Sequence, residues 1–378
     1  MNKLKKISWK HYINYVVIGI FTAVCAVMTF TGSRFNSSML YLFEKMAISI
    51  ILAVSLSLVV GFLGELSLGH AGFMCVGAYL GGKLSVILEP LIGTSPLNLI
   101  ICTLVGGIIA AVFGVIIGLP ALRLRGDYLA IVTLAFGEIV KSVFQNTSDE
   151  SFGGALGLET PRYDKKYLFI FAFILVIATL AVIQNFIRSK HGRAVTAIRD
   201  NEIAAKACGI NVTKYKLLAF TVSAFFAGIA GVLYSFSNYT VQSSKFGYNY
   251  SIEILVMVVL GGMGSINGSI IAAALITFLN TKLATVLTGD LAVLQNFLYA
   301  LILIVIVIYN NAPRLKNFRD KYNFTALIHK IVKPEHDPAS IRDDKAKWDV
   351  VPTKIEMNEI LSTDIIPQDK QNYRKEDK

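Results

Sequence analysis

The chain has 378 residues, of which 54% are hydrophobic and 16% charged, with a formal net charge of +11. A soluble domain carries roughly 25% charged residues, so the composition excludes an ordinary soluble enzyme. The basic excess clusters at Lys3, Lys5, Lys6 and Lys10 and in loops beside apolar runs, where membrane topology places it, and this excludes a nucleic-acid-binding reading.

Apolar runs of about 20 residues recur, long enough to cross a hydrocarbon core of roughly 30 Å as helix. They are continuous, whereas a β-barrel shows short alternating segments. The predicted fold is all-α, a polytopic transmembrane helical bundle of about ten spans. Residues 1–13 form a cytoplasmic N-terminal segment, 14–311 the transmembrane domain and 312–378 a charged cytoplasmic tail. The first apolar stretch, Tyr15–Phe30, is followed by no small-residue cleavage site and reads as a retained span.

In chain order the spans are expected at 14–31, 46–64, 70–88, 97–119, 127–145, 167–187, 216–237, 251–262, 267–283 and 292–310. Starting inside, alternation puts Arg123, Arg125 and the 188–216 insert inside, and Glu89 and Asp149–Glu150 outside, as the positive-inside rule requires. Four glycines within Gly261–Gly268 make a poor helix interior and predict a break or re-entrant turn. A single crossing there would place the basic residues after Asn311 outside, so two segments are favoured and both termini lie inside. The tail mixes both charge signs with five prolines and has no sustained apolar period, as flexible segments do.

Several local patterns are structural. Gly77-x4-Gly82-Lys83 approaches a phosphate-binding loop but is followed by Leu84 and lies inside an apolar span, so it is rejected. Glycine and alanine pairs four apart (Gly77 and Gly81, Gly114 and Gly118, Ala227 and Gly231) predict close helix packing. Cys25, Cys75, Cys102 and Cys208 are scattered and read as small apolar residues. The five histidines have no ligand spacing, so no metal site is expected, and no catalytic constellation stands out.

Two polar breaks carry more. Gly64-Glu65-Leu66-Ser67-Leu68-Gly69-His70 sets a carboxylate and an imidazole at a helix boundary between two spans, and ionisable groups at membrane depth are functional candidates. The alternative is a hydrated turn at the cytoplasmic interface. Discontinuous helices offer backbone groups to a polar substrate. The pathway candidates are therefore Glu65, Ser67 and His70, then Glu138, then Gly261, Gly262, Gly264 and Asn267. Glu138 also stands three residues from Lys141 and is placed to pair with it. Glu253 falls near the outer edge of its span, as an interfacial residue.

The insert RSKHGRAVTAIRDNEIAAKACGINVTKYK, from Arg188 to Lys216, is basic and helix-forming between two apolar spans. It reads as a docking element. Together with GFLGELSLGHAGFMCVGAYLGG (61–82), LPALRLRGDYLAIVTLAFGEIV (119–140) and SIEILVMVVLGGMGSINGSIIAAAL (251–275), its block 192–234 resembles the permease subunits of branched-chain amino-acid ABC importers of the LivM type. The resemblance covers about residues 40–310. It implies a LivH-type second permease, two ABC ATPase subunits and an extracytoplasmic substrate-binding protein, with this chain multi-pass in the cytoplasmic (inner) membrane and in contact with the lipid bilayer. ATP and Mg would be bound by partner subunits, and this chain would bind no cofactor and no nucleic acid.

The same resemblance implies that 188–216 is the loop coupling to the ATPase, through Arg193, Arg199, Glu202, Ala204, Ala205 and Gly209. The match to the EAA-type loop holds at Ala204, Ala205 and Gly209 and departs at Ile203, with Glu202 one residue early. Urea and short-amide importers use closely related permeases, which keeps those substrates open. A stand-alone ion-coupled secondary transporter would need midplane ionisable groups, for which only Glu138 and Glu65 offer themselves. A membrane scaffold or sensor would use the tail and carry no flux.

Overall fold

The computed structural model describes residues 13–30, 37–124, 126–286, 301 and 304. The predicted tail, and the last predicted span apart from 301 and 304, lie outside the described residues. Twelve α-helices are described: α1 Ile13–Phe30, α2 Ser37–Ser57, α3 His70–Ile92, α4 Pro96–Ala121, α5 Asp127–Gln145, α6 Asp149–Phe152, α7 Lys165–Arg188, α8 Lys190–Asp200, α9 Glu202–Ala207, α10 Val212–Asn238, α11 Tyr248–Gly261 and α12 Ile266–Val286. A π-helical turn, Leu58–Leu63, extends α2, and a two-residue antiparallel pairing joins β1 Leu158–Glu159 to β2 Thr240–Val241. The fold is all-α apart from that pairing.

Among the described residues, six helices are long and apolar enough to cross a membrane: Ser37–Leu63, His70–Ile92, Pro96–Ala121, Lys165–Arg188, Val212–Asn238 and Ile266–Thr285. Two shorter apolar stretches are Ile18–Val27 within α1 and α11, Tyr248–Gly261. α5 forms where the fifth span was expected. α2 starts at Ser37, well before the expected 46, because Glu44 and Lys45 interrupt its apolar run in the sequence. Glu44 is nonetheless buried and accepts the Ser237 hydroxyl of α10 at 2.5 Å.

α2 is the central helix. Ile51, Leu52, Ala53, Val54, Leu56 and Leu58 are all closed to solvent, and α7, α10, α11 and α12 pack around it. α3, α4 and α10 form a second tight group. A Cβ on Gly77 would collide with the Gly228 backbone, and one on Gly231 with the Met74 carbonyl. Small residues therefore set the helix spacing, as they do in lipid, where packing replaces the hydrophobic drive. Gly77 and Gly82 are helix-interior positions of α3, in no phosphate-binding loop.

Caps make the short helices of the insert possible. Ser189 accepts the amides of His191 and Gly192 at the start of α8. Asn201 accepts the Ala204 amide at 3.0 Å to begin the six-residue α9, and Asn211 accepts the Lys214 amide to begin α10. Each side-chain oxygen satisfies an amide that a helix start leaves unpaired. The glycine run breaks the chain as expected, between α11 and α12, with Gly262 at φ +90° and Gly264 at φ +83°.

Candidate functional site

The insert, the Glu65 break and the glycine break come together at one end of the bundle. Lys216, on the first turns of α10 and 3% exposed, donates its ammonium to Glu65 Oε1 at 2.5 Å and to Glu202 Oε2 at 3.1 Å. One buried cation thus joins the α2–α3 connection, α9 and α10. Its partners are 13% and 30% exposed, so the pair with Glu65 is the better shielded.

Arg199, near the end of α8, donates from Nη1 to the Gly61 carbonyl at 3.1 Å, while Nε and Nη2 hold Asp200 at 3.1 and 2.9 Å. Gly61 itself has no room for a side chain, since a Cβ there would meet the Gly264 amide nitrogen at 2.5 Å. A Cβ on Gly64 would meet Arg199 Cγ at 2.7 Å. α8 therefore rests on the widened last turn of α2 where that turn touches the glycine break. Gly64, at φ +79°, ends that turn in the left-handed conformation that glycine adopts without a Cβ penalty.

From Glu65 the chain runs back into the bundle. His70, 2% exposed at the first position of α3, lies with Nε2 2.8 Å from Ser55 Oγ. The Ser55 hydroxyl also donates to the Leu52 carbonyl at 3.0 Å, so its proton is committed and His70 Nε2 is the donor between them. Ser55 lies eight residues before Leu63, about 12 Å along the helix. The 64–69 segment is non-helical backbone that runs from an exposed Gly64 to a buried Gly69, and its inner part is tolerated because it is buried in protein. A neighbour satisfies part of it, as Leu68 N donates to Thr133 Oγ1 at 3.0 Å, and just beyond it, in the first turn of α3, Ala71 N donates to Ser251 Oγ at 3.2 Å. Ser223 of α10 donates to the Ser55 carbonyl at 2.6 Å. α2, α3, α5, α10 and α11 therefore meet in a polar seam within the bundle.

Glu138 belongs to the same framework. It pairs with Lys141 at 2.7 Å, as the i, i+3 spacing predicts, and accepts the Tyr248 amide at 2.8 Å. A carboxylate at the start of α11 complements the helix dipole.

The family of permease components of branched-chain amino-acid transport systems matches residues 38–307. The chain belongs to this family. It is 38% identical to the high-affinity branched-chain amino-acid transport system permease protein LivM of Salmonella typhimurium, over 61% of this chain and 60% of that protein. It is 28% identical to a probable LivM of Methanocaldococcus jannaschii over 58% of this chain and 73% of that one. The ribose import permease protein RbsC of Haemophilus influenzae is 27% identical over 72% of this chain and 85% of its own length. The chain thus spans about three fifths of the length of the first of these relatives. No solved structure matches it.

Within this permease the predicted coupling residues divide. Arg193, Ala204 and Gly209 are exposed, and Ile203 is 78% exposed on the same short helix. Ala205 is buried, Glu202 turns toward Lys216, and Arg199 reaches the α2 end. The predicted pathway residues divide too. Ser67 and His70 are buried, and Glu65, Gly261, Gly262 and Gly264 are partly covered at the insert junction. Asn267 is exposed. Lys216 was not singled out from sequence; a lysine at the very edge of an apolar span was the available signal. Glu44 was likewise hidden inside an underestimated helix.

Proposed function

We propose that this chain is the membrane permease of an ATP-driven importer and carries branched-chain amino acids handed over by an extracytoplasmic binding protein. The observation that carries the reading is the docked insert. α8 and α9 are tied to the bundle by Lys216 and Arg199, while Ile203 and Ala204 face outward. A short capped helix with small exposed residues suits the cleft of a second protein. Force applied to it would pass directly to the Glu65 break and the Gly61–Gly264 contact.

In this reading two ATPase subunits bind ATP and Mg and engage the insert, and a LivH-type permease completes the pore. The chain is a multi-pass protein of the cytoplasmic membrane with both termini inside, crossing about ten times. The insert, the Arg123 loop and the glycine break then share the cytoplasmic end. Arg123 and the insert residues Glu202 and Gly209 line one groove, in accord with that placement. Closure of the ATPases would rock α8–α9, and the seam at Ser55, His70 and Ser251 would change packing between two arrangements. No covalent chemistry is required of this chain.

A second reading, import of a pentose, draws on the similarity to a ribose permease. The test is uptake of labelled leucine by cells with and without this gene, with valine, isoleucine, urea, acetamide and ribose as competitors. Loss on deletion and competition by valine and isoleucine alone is the expected result. Intact leucine uptake with lost ribose, urea or amide uptake would reassign the substrate.

A further inference from the structure

Beside the insert, a groove of about 530 Å³ runs between the end of α4 and the α9–α10 junction. Leu122 and Arg123 line it from the α4 side, Glu202 and Lys206 from α9, and Val212 and Thr213 from the first turn of α10. Pro96–Ala121 and Val212–Asn238 are both apolar helices of membrane length. The groove therefore lies where one span ends and another begins, at the depth of lipid headgroups.

Its charges do not balance internally. Glu202 is turned to Lys216, whose ammonium it shares with Glu65. Arg123 and Lys206 are exposed, and among the described residues neither forms an ion pair. Asn211 caps the Lys214 amide, and among the described residues the Val212 and Thr213 amides ahead of it have no acceptor. Two cations and two open amides around one cavity favour an anion, since helix-start amides and basic side chains attract negative charge together.

The surface beside the groove selects the class of anion. Leu104, Ile108, Val112, Ile116 and Leu119 are exposed at helical spacing along one side of α4. Past the helix end the chain keeps turning, with Leu122 N donating to the Gly118 carbonyl and Arg123 N to the Pro120 carbonyl. Arg123, four residues after Leu119, thus continues the apolar line. A free anion has no use for such a stripe, whereas a lipid uses stripe and groove at once. On α9, Glu202 and Lys206 are one turn apart and share the groove side, while Ala204 lies roughly half a turn from both, so the groove and the outward face of α9 are different surfaces.

We propose that the groove holds the headgroup phosphate of an anionic phospholipid, with Arg123 and Lys206 on its charge, the first amides of α10 on its oxygens and its acyl chains along α4. This goes beyond the importer reading and needs only that α4 and α10 lie in a bilayer. A lipid seated there bridges the bundle to the insert.

The test uses the purified full chain, with any subunits that copurify, in a neutral detergent. Its thermal midpoint is followed as short-chain phosphatidylglycerol, short-chain phosphatidylcholine or inorganic phosphate is added. Phosphatidylglycerol should raise the midpoint at a lower concentration than phosphatidylcholine, and inorganic phosphate should not replace it. Arg123→Gln and Lys206→Gln should each raise the half-saturating phosphatidylglycerol concentration by about fivefold, with the lipid-free midpoint unchanged. Lys190→Gln, at an exposed position of the insert outside the groove, should have no effect. An unchanged half-saturation in the Arg123→Gln/Lys206→Gln double variant, or an equal shift in Lys190→Gln, would overturn the site. A midpoint raised as well by inorganic phosphate would overturn the lipid and leave a free anion as the ligand. A lipid response lost whenever an ATPase subunit copurifies would overturn the proposal and give the groove to the ATPase.

Discussion

Lys216 and Glu65 are 151 residues apart in sequence, and their side chains meet at 2.5 Å. The lysine is buried, and it also holds Glu202. Removing one partner of a shielded ion pair leaves an uncompensated charge, which costs more than the pair contributes. Lys216→Met should therefore destabilise the detergent-solubilised protein by on the order of 3 kcal/mol, read as a fall in thermal midpoint. Glu65→Gln added to it should cost little more, since neighbours sharing a network are not additive. Additive losses would show that the contact carries no coupling.

Arg199 grips Gly61 with one nitrogen and Asp200 with two others. A lysine has no planar fork and cannot keep both contacts. Arg199→Lys should leave the chain at its normal membrane level and cut uptake by about tenfold, because α8 would no longer move with the α2 end. Uptake within a factor of about two of normal would assign Arg199 to surface charge alone.

Ala204 and Ala205 are adjacent, yet only Ala205 is buried. Ala204→Arg should abolish uptake and copurification of an ATPase while the thermal midpoint stays unchanged. Ala205→Arg should lower the midpoint as well, because a buried charge has no partner there. Normal copurification with Ala204→Arg would remove α9 from the docking surface.

Gly77 offers a packing control. A side chain there meets the Gly228 backbone, whereas Gly19 of α1 has open space around it. Gly77→Val should cost about 1–3 kcal/mol or more through forced separation of α3 and α10, and should reduce the folded yield. Gly19→Ala should be silent in the same measurement. Equal behaviour of the two would rule out glycine-mediated contact between those helices.

Much of this was legible along the chain. Continuous apolar runs dictate helices because unpaired backbone polar groups are not tolerated in lipid, and the glycine cluster at 261–268 dictates a break because glycine is a poor helix former. The Glu138–Lys141 pair followed from helical spacing alone. Caps at Ser189, Asn201 and Asn211 are equally local.

What the sequence determined by itself is the inventory: which segments are helical, where they break, and which family the motifs resemble. Only the tertiary structure decided the partnerships. Lys216 reads as an isolated charge at a span's edge until folding brings Glu65 and Glu202 to it. His70 reads as a boundary residue until the chain turns back to Ser55. The physical reason is range: hydrogen-bonded helices form from neighbours within four residues, whereas the Lys216–Glu65 pair and the Gly61–Gly264 contact join residues scores of positions apart.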